Sequence, residues 1–211
     1  MSPRRAKAVG GRVGDDPATA LREHLIDATD GLLSRSPIAA ITTRDIARAA
    51  EVSDGVLYNY FDDKTALILA ALVRRYQRLA RRFYDALPAA GSATVEENLV
   101  AFANGSFDLL VEALPTVAGL LTEPLLLHRL LDEIHQGELG PQYMQARLGD
   151  YLREEQRLGR LAAVDATPAE TMLMGSVAVL ALSTQFALMP DRAARAAGLR
   201  PIVATILRGL G

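Results

Sequence analysis

Residues 42–64 read TTRDIARAAEVSDGVLYNYFDDK, and the punctuation of this stretch decides how the chain folds. Thr42 followed by Asp45 is a capping-box variant that opens a helix. Ile46, Ala47 and Ala50 recur at helical spacing and form its inner face. Glu51-Val52-Ser53 breaks the pattern as a turn. Ser53 is placed to cap a second short helix, Asp54 to about Tyr60, and Asp63 to cap a third that opens with Lys64. Ala47 and Ala50 are small enough for the first two helices to pack closely, and Val52, Leu57 and Phe61 are the apolar anchors of the second. Asp54, Gly55, Val56, Tyr58 and Asn59 are left on the opposite side. A tight turn between two short helices, the second offering short polar and aromatic side chains, is the layout of a helix-turn-helix. In such a unit the second helix enters the major groove of DNA while the first crosses the backbone.

Working outward, the rest of the chain also reads as helix. Asp16 as a cap and Pro17 at the first position announce a helix with the stripe Leu21, Leu25, Ala28 and Leu32, which stops near Ser36-Pro37. The helix that opens at Lys64 runs to about Leu87 with the stripe Leu72, Tyr76, Leu79 and Phe83. Further stripes are Val95, Leu99, Phe102, Phe107 and Leu110; then Leu127, Leu130, Leu131 and Ile134; then Met144, Leu148 and Leu152 after Pro141. Thr167-Pro168-Ala169-Glu170 is a capping box with proline at the first position. A short terminal helix spans about Pro201 to Leu207. No alternating strand pattern and no repeat is found, so the class is all-α, with about nine or ten helices. The expected division is a disordered basic arm over 1–15, a helix-turn-helix domain over 16–64 and a helical effector-binding and dimerisation domain over 65–211.

Composition narrows the function. Half of the 211 residues are hydrophobic, enough for a sizeable core. The chain has no cysteine, which excludes disulfides, thiolate metal sites and cysteine nucleophiles. The start carries no apolar run of a signal peptide, and a cytoplasmic location is expected. Thr171–Pro190 is uncharged over 20 residues, close to the length a bilayer needs. Its Ser176, Ser183, Thr184 and Gln185, and the lack of flanking basic clusters, point instead to a buried helix, with no membrane partner. Residues 1–82 hold 14 Lys/Arg against 10 Asp/Glu, and residues 83–211 hold 9 against 15. Only the first part is suited to a polyanion.

The order Thr-Thr-x-x-Ile-Ala-x-x-Ala-x-Val-Ser-x-Gly-x-Leu-Tyr-x-Tyr-Phe-x-x-Lys, carried here by Thr42, Thr43, Ile46, Ala47, Ala50, Val52, Ser53, Gly55, Leu57, Tyr58, Tyr60, Phe61 and Lys64, strongly resembles the N-terminal domain of tetracycline-repressor (TetR) family regulators. The resemblance covers about residues 18–68. It implies phosphate contacts from Thr43, Ser53, Tyr58, Tyr60 and Lys64, and a guanine contact from Arg44. On chemistry alone Asn59 suits adenine, Asp54 suits cytosine as an acceptor, and Val56 suits thymine methyls, while Gly55 lets the backbone approach. Lys64 also sits at a helix N-terminus, which favours an anion. Two departures stand out. Glu51 occupies the bend where the family usually has glycine, and a left-handed backbone there costs a glutamate about 1 kcal/mol. No basic residue lies in Asp54–Phe61, so phosphate attraction falls to Arg44, Arg48 and Lys64, with two readings open for the arm: Arg4, Arg5, Lys7 and Arg12 enter a minor groove, or they form a solubilising tail.

One recognition helix reads few base pairs, and a two-fold dimer places two of them about 34 Å apart, one turn of DNA. The expected partners are therefore a palindromic double-stranded operator and a second copy of the chain. The dimer surface is expected on Pro141–Leu158 and Thr167–Leu188, with Leu148, Tyr151, Leu152, Gly175, Ser176 and Ser183 as contacts. The second of these helices is apolar nearly all round and is expected to be buried on most sides. The resemblance implies a small-molecule effector pocket in the C-terminal helices, with Phe102, Phe107, Met144, Met172 and Met174 as wall and Asn98 and Gln185 as polar handles; the apolar balance favours a hydrophobic effector. His128, Asp132 and His135 share a helical face but read as solvated surface, as does the Arg74, Arg75, Arg78, Arg81, Arg82 run. No metal and no cofactor is expected. There is no nucleophile–base set and no phosphate loop, so the expectation is a repressor released by its effector and not an enzyme. The alternatives are a DNA-binding regulator indifferent to small molecules, and an all-α enzyme acting on a bound one.

Overall fold

The computed structural model describes residues 16–137, 140–185 and 192–210, and these form helices and connecting loops without a strand. In chain order they are α1 (Pro17–Leu33), a 3-10 turn (Ile38–Ala40), α2 (Thr43–Ala49), a 3-10 segment (Asp54–Asn59), α3 (Lys64–Asp85), α4 (Val95–Leu120), α5 (Pro124–Gln136), α6 (Pro141–Arg157), α7 (Thr167–Gln185) and α8 (Arg192–Leu210). The basic arm expected over 1–15 lies outside the described residues. The chain divides into two compact units. The first comprises residues 1–75 and 119–131, and the second 76–118 and 132–211. The division thus falls inside α3 after Arg75, rather than at Lys64.

The first unit, called the head below, is closed by a core of Leu25 and Ile26 from α1, Ile41, Ile46, Ala47 and Ala50 around α2, Leu57 and Phe61, and Leu67 and Ala71 from α3. Ile26 and Thr29 are buried beside the expected α1 stripe, and Thr29 hides its hydroxyl on the Leu25 carbonyl at 2.8 Å. Pro17 takes the first position of α1 as expected, but Asp16 makes no side-chain cap. The helix stops at Leu33, three residues short of Ser36. Its end is held from outside: Arg75 Nε donates to Asp30 Oδ1 at 2.6 Å, and Nη2 donates to the Asp30 carbonyl and to Ser34 Oγ, each at 2.7 Å. A cation on the last carbonyls opposes the negative end of the helix dipole. Arg74 pairs with Glu23 and Asp27 of α1. These two arginines are therefore structural, and the expectation of a merely solvated basic face fails for them.

The second unit packs α6 against α7 and α7 against α8. Its core takes Leu79 and Phe83 from α3, Leu99, Phe102 and Phe107 from α4, Met144, Leu148 and Leu152 from α6, Leu173 and Val177 from α7, and Leu199 and Val203 from α8. Three sequence expectations change here. The box at Thr167 is replaced: Thr167 lies within the helix and its N–H donates to Asp165 Oδ1 at 2.9 Å, while the Glu170 N–H bonds to the Ala166 carbonyl and its side chain is buried. The last helix is longer than Pro201–Leu207 and passes through Pro201, which removes one backbone donor without ending it. On α7, Met172, Val179 and Leu182 are 55%, 64% and 46% exposed, so this helix is open along one side. No helix among the described residues is long and apolar enough to cross a membrane.

Candidate nucleic-acid interface

The capping box at Thr42 forms as read. The Asp45 N–H donates to Thr42 Oγ1 at 3.2 Å, and Asp45 Oδ2 accepts from the Thr42 N–H at 3.1 Å and its hydroxyl at 2.6 Å. The Thr42 hydroxyl, and then its N–H, hold the Asp45 carboxyl below the usual carboxylate range. The helix α2 ends in a tight reversal centred on Glu51, whose φ is 55°. The Val52 N–H reaches back to the Ala47 carbonyl at 3.0 Å and the Glu51 N–H to the Arg48 carbonyl at 3.2 Å. This is the Schellman arrangement, with a glutamate at the left-handed position that glycine favours. A further clamp comes from α1, where His24 Nε2 lies 3.0 Å from the Ala50 carbonyl.

The segment launched by this bend is not the α-helix expected over Asp54–Tyr60 but a 3-10 helix, Asp54–Asn59, and Ser53 makes no side-chain cap to it. Leu57 and Phe61 are buried, and Arg22 of α1 stacks its guanidinium 4.9 Å from the centre of the Phe61 ring. On the other side Ser53, Asp54, Gly55, Tyr58 and Asn59 are exposed, Tyr58 by 59%. Val56 and Tyr60 are half-buried. A Cβ at Gly55 would meet nothing within 4 Å, so nothing inside the head requires glycine there.

The charges around this segment are arranged rather than scattered. Arg44 Nε lies 3.6 Å from Asp54 Oδ2, with both side chains mostly exposed. At that exposure the pair contributes well under about 1 kcal/mol, but it sets a guanidinium over the only acid of the segment. Lys64 Nζ donates to the Ile41 carbonyl at 2.8 Å, tying the start of α3 to the residues before α2. The same ammonium keeps hydrogens to spare for an anion. Of the ten residues read as DNA-facing, Thr43, Arg44, Ser53, Asp54, Gly55, Val56, Tyr58, Asn59, Tyr60 and Lys64, none is buried, and all lie on the α2–turn–3-10 stretch and the α3 N-terminus. His24 and Arg22 were not read as part of this unit; a histidine among helical residues carries no spacing signal for a contact 26 residues away.

The second unit holds a cavity of about 360 Å³ lined by the end of α3, the loop after it, α4 and α6. Of the seven residues read as pocket-forming, Asn98 and Phe102 line it. Phe107 and Met144 are core, Met174 is partly buried against that core, Met172 is exposed on α7, and the Gln185 side chain lies outside the described residues. The remaining wall comes from Tyr84, the loop residues 87–90, and Arg147, Asp150, Tyr151 and Glu154 of α6. Burial pushes the Tyr84 phenol up to about 12 and raises that of Tyr151 as well. Leu148 and Leu152, read as dimer contacts, are instead buried in the core of their own chain, and Tyr151 lines the cavity. Gly175 is exposed, and Ser176 and Ser183 are half-buried on the open side of α7. No group of three or more His, Asp or Glu among the described residues is placed to hold a metal ion.

Residues 25–71 match the family of bacterial regulatory proteins called tetR. The chain is 38% identical over 61 residues to the HTH-type transcriptional repressor KstR of Rhodococcus jostii (strain RHA1), an overlap covering 29% of each chain. It is 35% identical over 101 residues to the HTH-type transcriptional regulator BetI of Cronobacter sakazakii (strain ATCC BAA-894), covering 46% of this chain and 47% of that one. The matched stretches thus span less than half of these relatives. A solved structure from Mesorhizobium loti MAFF303099, described as a TetR-family transcriptional regulator, superposes with a TM-score of 0.74 over 93% of this chain and 100% of its own, at 16% identity. Residues 25–71 therefore carry the pattern of the tetR family, and the chain shares the fold of that TetR-family structure.

Proposed function

We propose that the protein is a DNA-binding transcriptional repressor that occupies a palindromic operator as a dimer and leaves it when a small molecule binds the second unit. The observation that carries this reading is the two-sidedness of Asp54–Asn59: Leu57 is locked in the head's core while Asp54, Gly55, Tyr58 and Asn59 face solvent. A stretch anchored so firmly, yet showing amide, phenol and carboxylate outward, suits the major groove, where base edges offer matching donors and acceptors. Thr43, Ser53, Tyr60 and Lys64 flank it at positions suited to phosphates, which set register.

The open side of α7 is the surface we assign to the second copy. Met172, Gly175, Val179 and Leu182 recur at helical spacing along it. Ser176 and Ser183 bond their hydroxyls back to the Met172 and Val179 carbonyls at 2.7 and 2.8 Å. That leaves few free donors on the stripe, and an apolar, small-residue face of this kind is costly to leave in water. Control by a small molecule is limited by its differential affinity for the DNA-competent and DNA-incompetent arrangements. Selection of bound sequences from random duplex DNA tests the reading. The expected product is an inverted repeat with half-site centres about one helical turn apart. Enrichment of a single unrepeated site, or of none, contradicts it.

A further inference from the structure

The cavity in the second unit carries a charge pattern from which a ligand class follows. Its two acids are already neutralised: Asp150 Oδ1 accepts from Arg153 at 2.7 Å and Glu154 Oε1 from Arg157 at 2.5 Å. Arg157 holds the Glu154 carboxyl below the usual range. The one cation on the wall, Arg147, has no carboxylate partner among the described residues; its guanidinium lies 5.9 Å from the centre of the Tyr84 ring. The cavity's net character is therefore a single unpaired positive charge beside aromatic surface.

Two further donors line the same space. The Tyr151 hydroxyl is buried and completes no hydrogen bond among the described residues, although Asn98 and Glu155 are its neighbours. Asn98 is buried too; its amide donates to the Ala89 carbonyl at a long 3.5 Å and lies beside the Tyr151 hydroxyl. A buried hydroxyl whose hydrogen bond is incomplete is costly, and a ligand oxygen would satisfy it. Because burial keeps both tyrosines protonated, neither offers a negative charge that would repel an anion. Phe102, fixed edge-to-face on Phe83 at 5.4 Å, and Leu87 supply apolar wall. A volume of about 360 Å³ is at the small end of ligand sites.

We propose that this cavity binds a small amphipathic carboxylate, its charge met by Arg147, its oxygens by Tyr151 and Asn98, and its flat apolar body by Tyr84 and Phe102. This deepens the reading of a ligand-controlled repressor and names the chemistry of its effector. A cation finds no unpaired acid here, and a neutral ligand leaves Arg147 unanswered. The sequence-based expectation of a merely hydrophobic effector is thereby narrowed to one with an anionic end.

Isothermal titration of the full-length protein with 1-naphthoate, against naphthalene-1-carboxamide as the uncharged isostere, tests it. A charge-assisted bond predicts that the acid binds at least about tenfold more tightly. Arg147→Gln should erase that preference, Arg147→Lys should restore part of it, and Arg208→Gln, which removes an exposed arginine of α8 away from the cavity wall, should leave it intact. Equal affinity for acid and amide, no binding of either, or the same loss in Arg208→Gln as in Arg147→Gln overturns the proposal. Thermal melting of each variant guards against misfolding. DNA affinity measured alongside separates the two ideas. Arg147-dependent binding of naphthoate with unchanged DNA affinity sinks ligand control but keeps the site. DNA release by acid and amide alike keeps ligand control but sinks the anion site.

Discussion

Helices α2 and α6 end in the same hydrogen-bonded reversal, built around different residues. At α2 the left-handed position is Glu51, φ 55°; at α6 it is Gly159, φ 72°, where the Arg160 N–H reaches the Glu155 carbonyl and the Gly159 N–H the Gln156 carbonyl, both at 2.9 Å. The glycine adopts this backbone freely and the glutamate does so at a cost of about 1 kcal/mol. The relaxed bend closes a loop of the second unit. The strained bend aims the segment proposed to read DNA. Strain of this size persists where surrounding contacts over-determine the backbone, and here His24 on the Ala50 carbonyl and the Thr42–Asp45 box supply that constraint. The two units differ in the same sense: the head spends its side chains on fixing one short segment, whereas the second unit leaves a cavity and an open helix face.

The comparison can be broken most severely at Leu57, the side chain that seats the segment. Leu57→Ala should lower the unfolding free energy of the head by about 3 kcal/mol, read by urea denaturation. A loss below about 1 kcal/mol would mean that the segment is not held by its buried side. The two bends give a smaller, paired effect of opposite sign. Glu51→Gly should stabilise by about 1 kcal/mol and Gly159→Ala should destabilise by about as much. If both changes destabilise, Glu51 makes contacts that outweigh its backbone. The smallest effect is electrostatic. The folded-state carboxyl of Asp45 titrates below its unfolded value, so its contribution to α2 is complete above the ordinary carboxylate range and fades as the pH falls through the lowered value. Protection of the first-turn amides of α2, taken relative to their intrinsic exchange rates, should fall on acidification in the natural chain, and that fall should vanish in Asp45→Asn.

The head was legible in the sequence because its signals are local. The Thr42–Asp45 box, the small residues Ala47 and Ala50, the Asp63 cap and the odd glutamate at the bend all act within a few residues of themselves, and each appears in the structure as read. The error was one of pitch, since periodicity over six residues cannot tell a 3-10 from an α-helix. The second unit was legible as helices but not as a site. Leu148 and Leu152 follow the same periodicity whether they face their own core or a partner, and they face the core. Met172 has the chemistry of a pocket wall and the position of a surface residue. Tyr84, Arg147 and Tyr151 come from two helices separated by more than 50 residues, and no spacing links them. The long-range ion pairs of Arg74 and Arg75 with α1 escaped for the same reason.

The central claim is that the outward side of Asp54–Asn59 reads duplex DNA. Its most direct test is a fluorescence anisotropy titration of the selected duplex with the Tyr58→Ala, Asn59→Ala double variant, at one fixed salt concentration. Both side chains are exposed, so helical content by circular dichroism should not change. Loss of two groove contacts predicts an affinity at least about 100-fold weaker. A variant that binds within threefold of the natural chain would contradict the account.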